Sequence, residues 1–182
     1  MKLQYTQSLA SNLSGQHLLL DSTTFINASK SDEFLSLLTD IVSAGCIFTT
    51  IPSVVYEFSR GSRTVDEYNR YLQFINGFGT TVFKRIEESI DDEMRVFLVA
   101  YNKAFANRKD KKKPSYTDSL LCATAYKFRN SKLRLVTANH KDIPESIFDR
   151  TELITIDVNG ELRNEAIYNF SPVKFGQVLS QL

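Results

Sequence analysis

His17-Leu18-Leu19-Leu20-Asp21-Ser22-Thr23-Thr24-Phe25-Ile26-Asn27 is the stretch that decides the fold. An apolar run of strand length, His17 to Leu20, ends on a carboxylate and passes into hydroxyl-bearing residues. That is the pattern of a buried strand whose carboxyl end faces a crevice, where open α/β sheets tend to carry their chemistry. Two more acids stand in similarly apolar company: Glu57 in Ser53-Val54-Val55-Tyr56-Glu57-Phe58, and Asp118 in Tyr116-Thr117-Asp118-Ser119-Leu120-Leu121-Cys122-Ala123-Thr124-Ala125. If these three distant acids converge, they make a site for a divalent metal ion.

Outward from this stretch, short apolar strands alternate with longer segments of helical period, which favours a parallel α/β sheet. The strand candidates are His17 to Leu20, Ile47 to Thr50, Thr81 to Lys84, Leu133 to Thr137 and Leu153 to Ile156. Glu33 to Val42 places apolar residues three and four apart, with Ser31 or Asp32 able to cap the first turn. Pro52 suits the first turn of the next helix and Gly61 its stop, so Glu57 falls on a helix of about Pro52 to Arg60. Helices of Thr64 to Asn76, Ile90 to Asn107 and Tyr116 to Phe128 follow, Ser89 being a candidate cap for the second of them. Asp118 then lies in the first turn of the last. A polar leader up to about Gly15 and a short irregular or partly helical tail from about Asn159-Gly160 flank a core of about residues 17–157.

With 182 residues, 42% hydrophobic and 24% charged, the chain is long enough for one good core, and a single domain is expected. A net charge of only +1 excludes a chain built throughout as a polyanion binder, so any affinity for nucleic acid must come from local patches. The one conspicuous patch is Arg108-Lys109-Asp110-Lys111-Lys112-Lys113, directly before Asp118. Its ordinary reading is a solvated loop; its sharper reading is a cationic rim that meets the phosphates of a substrate near the acids, with Lys109, Lys111, Lys112 and Lys113 as contacts. Cys46 and Cys122 lack metal-ligand spacing and read as buried thiols in a reducing compartment. No window approaches the ~18 apolar residues of a membrane span. The expectation is a soluble, cytoplasmic protein.

Mg²⁺ and Mn²⁺ prefer hard oxygen ligands and keep several waters, so a few converging acids suffice to hold one on a phosphate substrate. After the strand ending at Thr137, the run Thr137-Ala138-Asn139-His140-Lys141-Asp142 offers a further oxygen from either Asn139 or Asp142. The hydroxyls of Thr23 and Thr137 can orient carboxylates or waters, although each also suits a turn or cap. With only two histidines, His17 and His140, neither a zinc triad nor a Ser-His-Asp arrangement finds support, and His140 is at most a substrate contact.

Taken together, Asp21 after a strand, Glu57 on a helix, Asp118 opening Asp-x-Leu-Leu-x-Ala-Thr-Ala, and a strand followed by Thr-x-Asn-x-x-Asp resemble the PIN domain, particularly the VapC-like toxin ribonucleases. The resemblance covers roughly Leu18 to Ile156. It implies a three-layer α/β/α fold around a central parallel sheet of about five strands. It further implies a Mg²⁺- or Mn²⁺-dependent endoribonuclease, often a homodimer, neutralised by a cognate antitoxin in a type II toxin–antitoxin pair. Asp21, Glu57 and Asp118 match the family's metal-holding acids; Asn139 falls on a position that is Asp in many members, and Asp142 on the later acidic one.

Each residue also has a plainer reading. Asp21 can be an N-cap, Glu57 an exposed partner of Arg60 at i+3, and Asp118 a carboxylate serving its helix dipole. The competing functions are a catalytically silent PIN-like module that binds RNA or protein, towards which Asn139 leans, and a haloacid-dehalogenase-like phosphatase. The phosphatase requires Asp-x-Asp, and position 23 is Thr.

Overall fold

The computed structural model describes residues 3–77, 83–86, 90–106 and 113–182. In chain order the elements are β1 (Leu3–Gln4), α1 (Leu9–Asn12), β2 (His17–Leu20), α2 (Ser22–Ala28), α3 (Asp32–Ser43), β3 (Ile47–Thr50), α4 (Pro52–Ser59) and α5 (Val65–Asn76). Then come β4 (Phe83–Arg85), α6 (Asp92–Ala106), α7 (Tyr116–Lys127), β5 (Leu133–Thr137), a 3₁₀ turn (His140–Asp142), β6 (Phe148–Val158), β7 (Glu161–Phe170) and α8 (Pro172–Leu179).

The sheet runs β1-β6-β7-β5-β2-β3-β4. Pairings of β2 with β3 and β5, and of β3 with β4, are parallel; β5 with β7, β6 with β7, and β1 with β6 are antiparallel. From β2 the chain steps outward to β3 and β4, then returns to lay β5 on the other side of β2. Winding reverses between β2 and β5, which makes a crevice beyond their carboxyl ends the natural place for a ligand.

The central parallel sheet of about five strands expected from sequence is therefore corrected to a mixed sheet of seven, and the reason is local. Val158 pairs with Glu161 across the two residues Asn159 and Gly160, whose φ angles are 56° and 86°. Positive φ at both positions is the geometry of a type I′ hairpin turn, for which Asn-Gly is the strongest short signal. What reads as the start of a tail is thus the tip of a long hairpin, β6–β7. The far terminus is anchored as well. Phe175 of α8 packs against Phe170 and Tyr126 with ring centroids 5.4 and 5.0 Å apart, and Tyr126 stacks on Phe97 at 4.9 Å. These rings lie in the core.

The polar leader is corrected too. Leu9 and Leu13 are fully buried, and Leu3 and Gln4 add an antiparallel edge to β6. Two spaced leucines are too sparse to register as a periodic helix, yet they contribute the apolar face of one turn. The strand candidates His17–Leu20, Ile47–Thr50 and Leu133–Thr137 have the observed bounds. Thr81 and Val82 lie outside the described residues, and the strand there is Phe83–Arg85.

Helix starts follow their side chains. Ser31 Oγ accepts from the Phe34 N–H at 3.3 Å, and Phe34, Leu37, Leu38 and Ile41 of α3 face the core. Thr64 Oγ1 likewise accepts from Glu67 N–H, opening α5. For α6 the Asp91 carboxylate accepts from Met94 N–H at 2.9 Å; Ser89, the expected cap, lies outside the described residues, as does Asn107. α2 packs against α3 and α4, and α6 against α7 and α8. Both cysteines are free and buried. Among the described residues no helix is long and apolar enough to cross a membrane.

Candidate functional site

Asp21 leaves β2 in extended conformation and becomes the N-cap of α2, its Oδ1 accepting from Ser22 N–H at 2.6 Å. Capping is therefore one of its roles. Its other oxygen, Oδ2, accepts from Thr23 Oγ1 at 2.8 Å and from Thr137 Oγ1, at the end of β5, at 2.7 Å. Each hydroxyl also accepts a backbone N–H, Thr23 Oγ1 from Ala138 and Thr137 Oγ1 from Asn139. With its one proton each then donates to Asp21 when that carboxylate is ionised, since an ionised carboxylate only accepts. The carboxylate is only 3% exposed. Burial pushes its pKa up, the Thr137 and Thr23 hydrogen bonds pull it back, and the nearby charge of Asp118 pushes it up further.

Glu57 is half-buried on α4, and its Oε2 accepts from Ser22 Oγ at 3.0 Å. The same hydroxyl lies 3.3 Å from Asp21 Oδ1, so Ser22 bridges the two acids with one proton. Ser22 is missing from the residues singled out by sequence. Its signal was adjacency to Asp21, which by itself says nothing about where its hydroxyl points.

Asp118 sits in the first turn of α7 and closes a capping box. Ser115 Oγ accepts from Asp118 N–H at 3.1 Å, while Asp118 Oδ2 accepts from Ser115 N–H at 3.2 Å and from its hydroxyl at 2.5 Å. The remaining oxygen, Oδ1, accepts from Asn139 Nδ2 at 3.1 Å. Asn139 Nδ2 also donates to Asp142 Oδ2 at 2.7 Å. Facing two carboxylates, the position must be the amide nitrogen, which leaves Oδ1 as the oxygen Asn139 can offer. An Asp at this position would add a third negative charge between two others. The turn carrying Asp142 is tied to α6 by Tyr101, whose hydroxyl donates to the Asp142 carbonyl at 2.7 Å.

Asp21, Glu57, Thr23 and Thr137 thus share one hydrogen-bonded group, and Asp118, Asn139 and Asp142 a second. The Thr137–Asn139 contact and the Asp21–Asp118 charge interaction link them. Asn139 and Asp142, alternatives in the sequence, both take part. Among the described residues, no three of the His, Cys, Asp and Glu side chains come together as a group able to hold a metal ion. Ser22 and Asn139 stand between the paired acids instead.

No family model, no curated protein and no solved structure matches this chain.

His140 hydrogen-bonds on both sides, Nε2 to the Asn164 carbonyl at 2.9 Å and Nδ1 to the Tyr168 hydroxyl at 2.9 Å. A carbonyl only accepts, so Nε2 carries the proton. The ring fastens the 3₁₀ turn to β7. Lys113 is exposed before α7; Lys109, Lys111 and Lys112 lie outside the described residues. A cavity of about 320 Å³ opens beside Thr23 and Ala138, with Asn27, Arg163 and Asn164 on its far wall.

Proposed function

We propose that this chain is a divalent-metal-dependent endoribonuclease with a PIN-like fold. The observation that supports the reading is a pair of hydrogen-bonded groups, Asp21 with Glu57 through Ser22 and Asp118 with Asp142 through Asn139, drawn from four separate stretches of chain and linked at the ends of β2 and β5 by the Thr137–Asn139 contact. The finer architecture belongs to the same proposal: right-handed crossovers on the two sides of β2 would put helices on both faces of the sheet, giving three layers.

The donors fit Mg²⁺ or Mn²⁺ in kind, because they are carboxylate and amide oxygens with no thiolate or imidazole among them, and two direct carboxylates plus waters satisfy such an ion. Two carboxylates from the set Asp21, Glu57 and Asp118 would hold it directly and waters would complete its shell, because no three acids come together among the described residues. When bound, the ion supplies positive charge to a phosphodiester and makes a coordinated water more acidic. The chain's own side chains supply position. Thr23 and Thr137, each anchored by a backbone N–H, orient Asp21 through their hydroxyls, and Ser22 holds Glu57 towards it. Asn139 keeps Asp118 and Asp142 at a set separation while separating their charges. The basic run ending at Lys113 would attract the RNA backbone, an effect that weakens with salt. The cavity beside Thr23, whose hydroxyl bonds Asp21, would give a nucleotide room.

Purified chain incubated with a mixed structured and single-stranded RNA pool in Mg²⁺, Mn²⁺ or EDTA, with Asp118→Asn in parallel, tests the reading. Metal-dependent cleavage lost in the variant supports it. A catalytically silent module that binds RNA or protein through the same fold is the second reading, favoured by Asn139 where a third acid would complete the cluster. Folded, inhibitor-free protein that cuts nothing under any condition favours that module. An antitoxin partner and a homodimer rest on the family resemblance alone. Co-expression with the neighbouring open reading frame and sedimentation of the purified chain test them.

A further inference from the structure

Behind the acids lies a carboxyl that the proposed reaction does not use. Glu165 of β7 is fully buried; its Oε1 accepts from Asn27 Nδ2 at 2.7 Å, and its Oε2 lies 3.0 Å from Thr24 Oγ1. Thr24 Oγ1 is also 3.2 Å from the Val136 carbonyl, which takes the Asp21 N–H at 3.1 Å. Thr24 has one hydroxyl proton and two candidate acceptors. If that proton goes to Val136, Glu165 Oε2 must bring its own, and every group is satisfied: Glu165 O–H donates to Thr24, Thr24 to Val136, and Asn27 to Glu165. If Glu165 is ionised instead, a buried anion is left with neutral donors only. Among the described residues the charged groups that bear on it are Asp21, of its own sign, and Arg163, whose Nη1 goes to Asn27 Oδ1 at 3.2 Å and Nη2 to Glu161 at 2.8 Å. An anion so placed is costly.

We propose that Glu165 is a positioning residue that works as a neutral carboxylic acid, clamping α2 to the end of β5 through Thr24 and Asn27 so that Asp21 and Thr137 meet. The clamp rests on the nuclease reading only for its effect on cleavage. Burial is consistent with it, pushing the acid from 4.5 up to about 8, against the Asn27 and Thr24 bonds that pull it down and with Asp21 adding to the rise.

The test uses the full chain with Glu165→Gln and Glu165→Ala. An amide offers Asn27 the same acceptor and Thr24 a donor, so Glu165→Gln should keep the Asp21 amide as protected from hydrogen exchange as in the parent. Glu165→Ala should speed that exchange about tenfold or more while amides of β3 are unaffected. Where cleavage is measurable, the Gln variant should stay within about threefold of the parent and the Ala variant should lose kcat rather than raise KM. A carboxyl whose pKa rises on folding stabilises most below its unfolded value, and that contribution is lost as pH climbs to the folded value. The parent's melting temperature should therefore fall relative to that of Glu165→Gln between about pH 5 and pH 8. A Gln variant whose Asp21 exchange accelerates, or a melting difference that is flat across that range, overturns the proposal. If the Ala variant does not fold, those two results still decide. Absent cleavage in every protein, with the exchange and melting pattern as expected, counts against the nuclease and supports the clamp.

Discussion

Thr137→Val is the sharpest probe of how the site is held, because valine keeps the shape of threonine and removes only the hydroxyl. Thr137 is buried, and valine fills the same space, so no cavity opens and the change is electrostatic. Two bonds are lost, the 2.7 Å donation to Asp21 Oδ2 and the 2.9 Å acceptance of the Asn139 N–H. A hydrogen bond to a charged group contributes about 1.5–3 kcal/mol, against about 0.5–1.5 kcal/mol for a neutral pair. Asn139 is only half-buried, so water can replace its partner at small cost. The expected loss at pH 7 is about 2 kcal/mol.

The pH dependence has a definite sign. Burial already raises the folded-state pKa of Asp21 above 3.8, and the Thr137 bond is the largest influence holding it down. Removing that bond raises it further. A carboxyl raised on folding stabilises most at acid pH and loses that contribution as pH rises, so parent and variant should draw together in acid and separate towards neutrality. Urea unfolding at several pH values reads this directly. With m of about 1–3 kcal/mol/M, the midpoint should drop by roughly 1 M at neutral pH, and Thr137→Ser should recover most of it. A neutral-pH drop below about 0.3 M, or a gap that does not change with pH, would refute the assignment of Thr137 as the donor that pulls the Asp21 pKa back down.

Ser115→Ala should remove the capping box of α7 and cost about 1 kcal/mol by thermal or urea unfolding, with Asp118 losing one of its anchors. Asn139→Asp should place a third carboxylate between Asp118 and Asp142, lowering the melting temperature in EDTA. Millimolar Mn²⁺ should restore it by more than it raises that of the parent, and equal Mn²⁺ shifts in the two proteins would count against this pocket as the metal site.

Much of the parallel part of the fold is legible in the sequence because its strands are short apolar runs with clear ends. His17–Leu20 runs into Asp21, Ile47–Thr50 is followed by Ile51-Pro52, and Leu133–Thr137 is preceded by Lys132 at positive φ. The antiparallel part is hidden for a physical reason. β6 is a long strand with mixed exposure, its first half half-buried or exposed at Asp149, Arg150, Thr151 and Glu152, so only Leu153 to Ile156 stand out as apolar. The Asn159-Gly160 turn was the available sign, and it pairs that strand with β7 rather than ending the domain. The acids were found because each stands out against apolar neighbours. The hydroxyls and amides between them, Ser22 above all, were not found, because a polar residue at a helix start has a local use that masks any longer reach. Glu165 escaped for the same reason as β7. Read as tail, a glutamate is a solvated residue, whereas on a covered strand it is a buried acid.

Cleavage of the mixed RNA pool by the purified chain, in Mg²⁺ or Mn²⁺ against EDTA and beside Asp118→Asn, tests the central claim most directly. The account predicts cleavage that needs the metal and disappears in a variant that still folds. Full activity in EDTA, or in Asp118→Asn, would contradict it.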